Sequence, residues 1–217
     1  SDILIGDGRI QQICPSGNGD VSAALGTEVV DCVGKAAFPG FVNMHTHAGM
    51  AMMRGVGEDI GFHEWLDRIW EIEENIDEEY VYIATKMACL EMIKTGTTTF
   101  NDQYWYMPMA YKAASEMGIR SVLSYVICDR NDPQESERQK VQCQQMYEAS
   151  KSWADTAMFV LSVHAIYSVR EPMILWASEF ARANGLKLHI HLSETEKEVE
   201  DCRDAHGGMS PVEYLDS

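Results

Sequence analysis

The stretch FVNMHTH, residues 41–47, has the pattern of a short β-strand that ends in a pair of histidines. Side chains two positions apart in a strand point to the same face, so His45 and His47 can reach one metal ion together. Taken alone, a His-x-His pair is more often two ordinary histidines than a metal site. The position of this pair, at the end of an apolar strand and after the Pro-Gly of residues 39–40, favours the metal site.

Beyond this strand, β-like runs alternate with helical patterns. Strands are predicted at residues 97–100, 119–127, 158–163 and 186–192, and helices at residues 79–94, 107–117, 134–153, from 168 onward, and 194–205. Strands that alternate with helices of this length indicate parallel βαβ units. In the first helix we expect Tyr80, Ile83, Met87 and Leu90 to form the buried face, and the spacing of Ser168 and Glu171 predicts a capping box.

Five βα units fit either an open doubly wound sheet or part of a (β/α)₈ barrel. No Gly-x-Gly-x-x-Gly motif follows the first strand, and the histidines lie at the C-terminal ends of different strands, where barrel enzymes place their sites. We therefore predict an α/β fold, a partial TIM barrel over residues 38–217. Because a complete barrel needs eight strands and about 250 residues, we expect this chain to be a fragment.

The first 37 residues are predicted to form part of a small β-sandwich domain. Short strands are expected at residues 3–5, 9–13 and 29–33, with a loop rich in Gly and Ser through Gly19. So short a β-rich stretch cannot make a stable sheet alone.

The formal net charge of −17, from 17 basic and 34 acidic residues, disfavours nucleic acid and anionic membrane surfaces as partners. A small molecule is the expected partner, and the sequence leaves open whether the chain forms a homo-oligomer. No apolar run approaches the roughly 18–20 residues that cross a bilayer, and the N-terminus has no basic region. The six cysteines lack any Cys-x-x-Cys spacing and are interpreted as reduced thiols of a cytoplasmic protein.

A second group of polar residues, HIHLSE at residues 189–194, follows the fifth predicted strand. His191 lies nearest the end of the strand and can supply a third metal ligand. Glu194 can act as a proton shuttle beside a metal-activated water, or it can be a first-turn acid that favours the helix dipole. His189 lies one step deeper on the same face, where a core histidine or a partner of a ligand is expected.

Several separated motifs together resemble the amidohydrolase superfamily. They are PGFVNMHTH (39–47), MMRGVGED (52–59), EWL (64–66), EMIKTGTTTFND (91–102) and HIHLSET (189–195). Within the superfamily they are most similar to the branch of methylthioadenosine/S-adenosylhomocysteine deaminases, guanine deaminases and triazine chlorohydrolases. The resemblance spans nearly the whole chain.

This resemblance implies a metal-dependent hydrolase that removes an amino group from a purine-like or nucleoside-like heterocycle with a metal-activated water. His45, His47 and His191 would bind one divalent metal, usually zinc and sometimes iron, and Glu194 would shuttle the proton. The alternatives are a triazine-type chlorohydrolase and a catalytically incompetent fragment or binding protein.

The resemblance also implies substrate contacts. His164 matches a position that contacts the heterocycle, although a capping histidine at a strand end is the alternative. Glu73 resembles a ribose-binding glutamate, with Glu74 as a competitor and a solvated acid as the other interpretation. Arg130, after the third strand, is a further candidate for a substrate contact. Binuclear members carry a bridging lysine on the fourth strand, which residues 158–163 lack, so a mononuclear site is expected.

The long segment of residues 48–75 is predicted to be a lid or a binding wall. Trp65 and Trp70 in this segment either line a pocket for a heterocycle or pack the segment onto the barrel. Residues 104–106 either wall the site or cover the top of the barrel. Family members complete the metal site with a histidine after the sixth strand and an aspartate after the eighth, and neither is expected before residue 217.

Overall fold

The computed structural model describes residues 1–16 and 27–217, so most of the predicted Gly- and Ser-rich loop lies outside the described residues. The chain divides into two compact units, Ser1–Pro39 and Gly40–Ser217. Each is described by itself below.

The first unit contains a β-hairpin. Strand β1, Asp2–Gly6, pairs antiparallel with β2, Arg9–Cys14, which confirms the first two predicted strands. The two-residue turn between them places Asp7 and Gly8 at φ values of 52° and 72°. Two positive φ angles are what the tight hairpin turn requires, and an Asp-Gly pair tolerates them.

The predicted strand at residues 29–33 is wrong. This segment has no regular secondary structure and pairs with no strand among the described residues, and Val29, Val30 and Val33 are 79%, 70% and 89% exposed. The main-chain N–H of Val33 donates to the Asp31 carboxylate at 2.9 Å, and a turn follows. The aspartate side chain therefore bonds the backbone locally, in competition with a sheet ladder.

The second unit is built on a curled, all-parallel sheet of five strands that forms half of a barrel. Its strands, adjacent in the order of the chain, are β3 Phe41–Thr46, β4 Thr97–Gln103, β5 Arg120–Ile127, β6 Ala157–Val163 and β7 Leu188–Ile190. The predicted five βα units and the partial TIM barrel are confirmed.

Helices connect and follow these strands. They are α1 Phe62–Glu73, α2 Glu78–Lys94, α3 Met107–Met117, α4 Pro133–Ser150, α5 Glu171–Ala183, α6 Glu196–Ala205 and α7 Pro211–Asp216, with a 3₁₀ helix at Ala48–Met53. The segment of residues 48–75 thus contains the 3₁₀ helix and α1. Among the described helices, none combines the length and the apolar character needed to cross a membrane.

The main core lies between the sheet and helices α2 to α5. Phe100, Leu123 and Leu161 contribute from the strands and are at most 1% exposed. Small residues of α3 and α5, such as Ala114 and Ala177, let the helices approach the sheet closely. The inner strands β5 and β6 are mostly buried, whereas Phe41, Val42 and Met44 of the edge strand β3 are 66%, 55% and 70% exposed. This packing fixes the strand ends, where the histidines lie.

The buried face of α2 differs from the predicted one. Ile83 and Leu90 are 47% and 50% exposed, whereas Val81, Ala84 and Cys89 are fully buried. Apolar residues occur on nearly every side of this helix, so its periodicity does not select a face. Small side chains occupy the buried face because they permit close packing against the 3₁₀ helix and α3, which α2 contacts more extensively than it contacts the sheet.

Two predicted helix starts are also wrong. Helix α5 begins after Arg170 without a side-chain cap, and the Ser168 hydroxyl instead bonds the ring of His164. Helix α6 begins after Thr195, whose hydroxyl accepts from the Glu198 N–H, so Glu194 precedes the helix. At α5 the side chain expected to cap the helix therefore bonds His164 instead, and at α6 the cap lies one residue beyond Glu194.

Candidate active site

Three imidazole rings converge at the C-terminal ends of the strands. His45 and His47 come from β3 and the residue after it, and His191 follows β7 at the other edge of the curled sheet. The Nε2 atom of His45 lies 3.2 Å from that of His47 and 3.2 Å from that of His191, and the last two are 3.3 Å apart. The curl of the sheet therefore brings together the three predicted ligands.

This triangle of nitrogens fits a divalent metal ion. Tetrahedral zinc with Zn–N bonds of about 2.0–2.1 Å keeps its ligand nitrogens roughly 3.3–3.4 Å apart. Three Nε2 atoms that all face one another cannot each be donor and acceptor in good hydrogen bonds, because a neutral imidazole carries one N–H. A cation at their centre satisfies all three lone pairs at once.

The protonation states suit metal binding. Burial lowers the pKa of His47 and that of His45, and it lowers the pKa of His191 to about 3, so the rings are neutral near pH 7. The Nδ1–H of His47 donates to the Gln103 carbonyl at 2.7 Å, which leaves its Nε2 lone pair free. The Nδ1 atom of His45 lies 3.0 Å from Nε2 of His189. His189 thus contacts the His45 ring at the nitrogen that does not face the other two predicted ligands.

A cleft that is partly open to solvent lies beside the three histidines. Its lining includes His47 and His191 together with the four other predicted site residues, Trp65, Glu73, His164 and Glu194. Residues far apart in the sequence are therefore close together in the fold. Apolar and aromatic side chains supply most of the remaining wall, namely Met50, Phe62, Leu66, Ile69, Trp70, Tyr104, Trp105, Val126 and Tyr167.

Glu194 is held by a tight turn between β7 and α6. Ser193 adopts a left-handed conformation with φ of 58°, and the buried Glu198 carboxylate accepts from the N–H groups of Ser193 and Glu194, at 3.0 and 2.7 Å. Partial burial, and then the charge of Glu198, raise the pKa of Glu194. A carboxyl group with a raised pKa is better suited to exchange protons than a fully solvated one.

His164 follows β6 and contacts other rings of the cleft. Its ring centroid lies 5.0 Å from that of His191 and 6.4 Å from that of Trp70. Burial lowers its pKa to about 4, and the Ser168 hydroxyl bonds its Nδ1 atom at 2.7 Å. The ring is therefore neutral near pH 7 and fixed in orientation, as a polar contact for a heterocycle requires.

The two adjacent acids at the end of α1 differ in environment. Glu73 lines the cleft and accepts a hydrogen bond from Trp105 Nε1 at 2.9 Å, and burial raises its pKa. The side chain of Glu74 is 67% exposed and lies 3.7 Å from Arg130. Arg130 stacks over Trp70, with its guanidinium carbon 5.0 Å from the ring centroid. Glu73 is thus the better placed of the two acids, and Arg130 lies outside the lining.

Four further residues hold the segments around the site, and no pattern described above assigns them a role. Asn101, Asp102 and Gln103 end β4 and bond the segment that carries His45 and His47, and Glu198 holds the turn before α6. Asn101, Asp102 and Gln103 form a run of polar residues directly after the apolar end of a predicted strand, and this pattern could have indicated them. No comparable pattern marks Glu198, an acid in the first turn of a polar helix.

Gly49 permits a close contact that shapes the cleft. A Cβ atom there would lie 2.1 Å from Cε1 of the buried Tyr104 ring. We expect Gly49→Ala to displace this ring and to lower the free energy of unfolding by about 1–3 kcal/mol, as overpacking does. The matched control is Gly61→Ala, where no atom lies within 4 Å. Chemical denaturation of both variants tests this, and equal losses would contradict it.

A curled parallel sheet with its polar cluster at the carboxyl ends of the strands is the architecture of a (β/α)₈ barrel. The sequence model of the amidohydrolase family matches residues 36–217, which is most of the chain. The chain belongs to this family.

Individual relatives of known sequence show the same relationship to this family. The chain is 40% identical over 217 residues to a 5'-deoxyadenosine deaminase of Methanosphaera stadtmanae. This alignment covers 99% of this chain and 50% of the relative. It is 37% identical over 192 residues to 5-methylthioadenosine/S-adenosylhomocysteine deaminase 2 of Archaeoglobus fulgidus, covering 87% and 45%. The expected branch of the superfamily is thus confirmed.

A solved structure of similar fold is an adenosine deaminase from Xanthomonas campestris with bound zinc. It has a TM-score of 0.75 and 28% sequence identity, over 82% of this chain and 41% of the other. The chain spans about half the length of the curated relatives it matches.

Proposed function

We propose that this chain is the metal-binding part of a hydrolase that removes the amino group from an adenosine-like nucleoside. The observation that carries the proposal is the convergence of three Nε2 atoms within 3.3 Å of one another at a cleft that also holds Glu194. The names of the relatives, which are deaminases of adenine nucleosides, support the same chemistry and the substrate class.

We propose zinc as the metal, held by His45, His47 and His191, with iron as the alternative. Imidazole nitrogens suit both ions, and the similar adenosine deaminase structure contains zinc. One ion is proposed because β6 offers no lysine that could bridge a second.

The reaction forms one C–O bond and breaks one C–N bond at the ring carbon, with water consumed and ammonia released. When bound, the metal lowers the pKa of a water molecule and so supplies the nucleophile. The Glu194 carboxylate would accept one proton from the attacking water and donate it to the adjacent ring nitrogen. The second proton of that water would pass to the amino group, which would then leave as ammonia. The raised pKa of Glu194 supports both halves of this transfer.

The other cleft residues orient the substrate. We propose that the neutral His164 ring bonds a nitrogen of the heterocycle, that Trp65 provides an apolar wall, and that Glu73 accepts hydrogen bonds from ribose hydroxyls. The fixed ring of His164 and the buried position of Glu73 support these roles. Arg130 has no role in this proposal.

We also propose that residues 1–37 belong to a small β-sandwich domain and residues 38–217 to the barrel. The hairpin of β1 and β2 supports the first assignment. A cytoplasmic location is proposed because all six cysteines are free thiols, and the net charge of −17 supports a partner other than nucleic acid or an anionic membrane.

The test is ammonia release by the whole polypeptide to which these residues belong, with adenosine, 5'-deoxyadenosine, guanine and cytosine as candidate substrates. We expect ammonia and an inosine-type product from the adenine nucleosides. Release of chloride from a chlorotriazine without any ammonia would favour the chlorohydrolase instead. A protein that binds no metal and releases no ammonia would overturn the enzyme assignment.

Glu73 and Glu74 can be separated by substitution. We expect Glu73→Gln to raise KM for adenosine by roughly tenfold to a hundredfold, because hydrogen bonds to a charged group contribute about 1.5–3 kcal/mol, with a smaller effect on kcat. Glu74→Gln, one residue away and exposed, is the matched control and should leave KM unchanged. Steady-state kinetics of both variants check this, and a larger effect at Glu74 would reverse the assignment.

A further inference from the structure

We propose that Asp102 is a positioning residue for the metal centre. It bonds the Thr46 hydroxyl before His47 and the Ala48 main-chain N–H after it, and so directs the Nε2 atom of the His47 ring towards the Nε2 atoms of His45 and His191. The inference rests on the proposed function in one respect, namely that the three histidines bind a metal ion. It assigns a role to a residue that touches neither metal nor substrate.

The segment that carries the histidine pair departs from a regular strand. Residues 43–46 of β3 lie opposite residues 100–102 of β4, so β3 has one residue more than its partner. Such a bulge disrupts the ladder of main-chain hydrogen bonds and redirects side chains, often next to active sites. Something other than the ladder must therefore hold this segment in place.

Side chains and carbonyls of β4 supply the missing bonds. The Asn101 side-chain amide donates to the Met44 carbonyl at 3.0 Å, and the Thr46 hydroxyl donates to the Asn101 carbonyl at 3.0 Å. Asn101 thus fixes the two residues that flank His45. These bonds hold the bulge itself, but they do not reach the residue after it.

Asp102 holds the next part of the segment. Its Oδ1 atom accepts from the Ala48 N–H at 2.7 Å, and at 2.8 Å it shares the single proton of the Thr46 hydroxyl with the Asn101 carbonyl. These donors belong to the residues immediately before and after His47. The carboxylate is 3% exposed, and hydrogen bonds to a charged acceptor are short and comparatively strong.

The ring of His47 is then held from a second direction. Its Nδ1–H donates to the carbonyl of Gln103, which is the residue after Asp102. The ring of His47 and its two chain neighbours are therefore bonded to Asp102 and Gln103, which are consecutive residues of β4. A ring fixed in this way keeps its Nε2 lone pair in the geometry that a metal requires, which is why partners of ligands matter for affinity.

Asp129 provides a matched comparison within the same fold. It is also a fully buried acid after a strand, and it accepts from the N–H groups of Asn131 and Arg170 and from the Ser136 hydroxyl. It holds loops that carry none of the three histidines. If Asp102 acted only as a buried acid that stabilises the fold, the two residues would have the same effect on metal binding.

The experiment is a Co²⁺ titration of the metal-free whole polypeptide, followed by the visible absorption of the bound ion. We expect Asp102→Ala to weaken Co²⁺ binding by about 10- to 100-fold and to alter the absorption spectrum. Asp102→Asn keeps an acceptor oxygen and should restore affinity to within about threefold of the wild type. Asp129→Ala should lower the melting temperature without weakening Co²⁺ binding.

A smaller change covers the case in which Asp102→Ala does not fold. Thr46→Val removes one donor to Asp102 at nearly constant volume and should weaken Co²⁺ binding by about three- to tenfold. Its control is Thr85→Val, which removes a buried hydroxyl that has no hydrogen-bond partner among the described residues. Unchanged affinity in Asp102→Ala, or in Thr46→Val if the former does not fold, would overturn the inference, as would an equal loss in Asp129→Ala. Failure of the wild type to bind Co²⁺ would overturn the proposed function with it.

Discussion

His191→Ala is expected to abolish metal binding and to lower the rate of ammonia release at least about 10³-fold. The Nε2 atom of His191 is one of three that meet within 3.3 Å, and it comes from the strand at the opposite edge of the sheet from the other two. Its removal leaves two adjacent imidazoles, which do not hold a divalent ion in an open site. Loss of the activated water costs several kcal/mol of transition-state stabilisation, which corresponds to this factor.

The measurement pairs metal content with steady-state turnover of adenosine. His63→Ala is the control, because His63 is an exposed residue of α1 outside the cleft lining, and it should retain metal and activity. A His191→Ala protein that kept a full equivalent of metal would show that the ligands lie elsewhere. Retained turnover without metal would show that the chemistry does not need it.

Glu194→Gln is expected to lower kcat by about 10²- to 10⁴-fold while the metal stays bound. The amide keeps the shape of the side chain, and the turn held by Glu198 stays intact because Glu198 bonds the main-chain N–H of residue 194. Only the capacity to accept and donate a proton is lost, and general acid–base catalysis contributes a factor of this size.

The control for this substitution is Glu196→Gln, two residues further along and exposed in the first turn of α6. It should change neither kcat nor metal content. Turnover by Glu194→Gln close to that of the wild type would remove Glu194 from the mechanism. Loss of metal in the same variant would instead assign it a role in metal binding.

Sequence periodicity predicted the elements of the barrel because local patterns determine them. Apolar runs such as residues 119–127 and helices that end at glycine, such as Met107–Met117 before Gly118, need no long-range information. The convergence of His45, His47 and His191 could also be predicted, since parallel strands of one barrel place their C-terminal ends together.

Features that depend on packing between distant segments could not be predicted. The bulge opposite residues 100–102 arises from the pairing of two strands about 55 residues apart, and the role of Asp102 follows only from it. The buried face of α2 is determined by the 3₁₀ helix and α3 that pack against it, since the helix is apolar on most sides. The segment at residues 29–33 has strand-like composition, but a local bond from Asp31 replaces a ladder.

In the proposed function the three histidines bind one metal ion, and deamination depends on that ion. The most direct test is to remove metal from the whole polypeptide with a chelator, then to add Zn²⁺ stepwise while ammonia release from adenosine is measured. We predict that the metal-free protein is inactive and that activity is restored in proportion to bound zinc, reaching its maximum at one equivalent per chain. Full ammonia release by protein that carries no metal would contradict the claim.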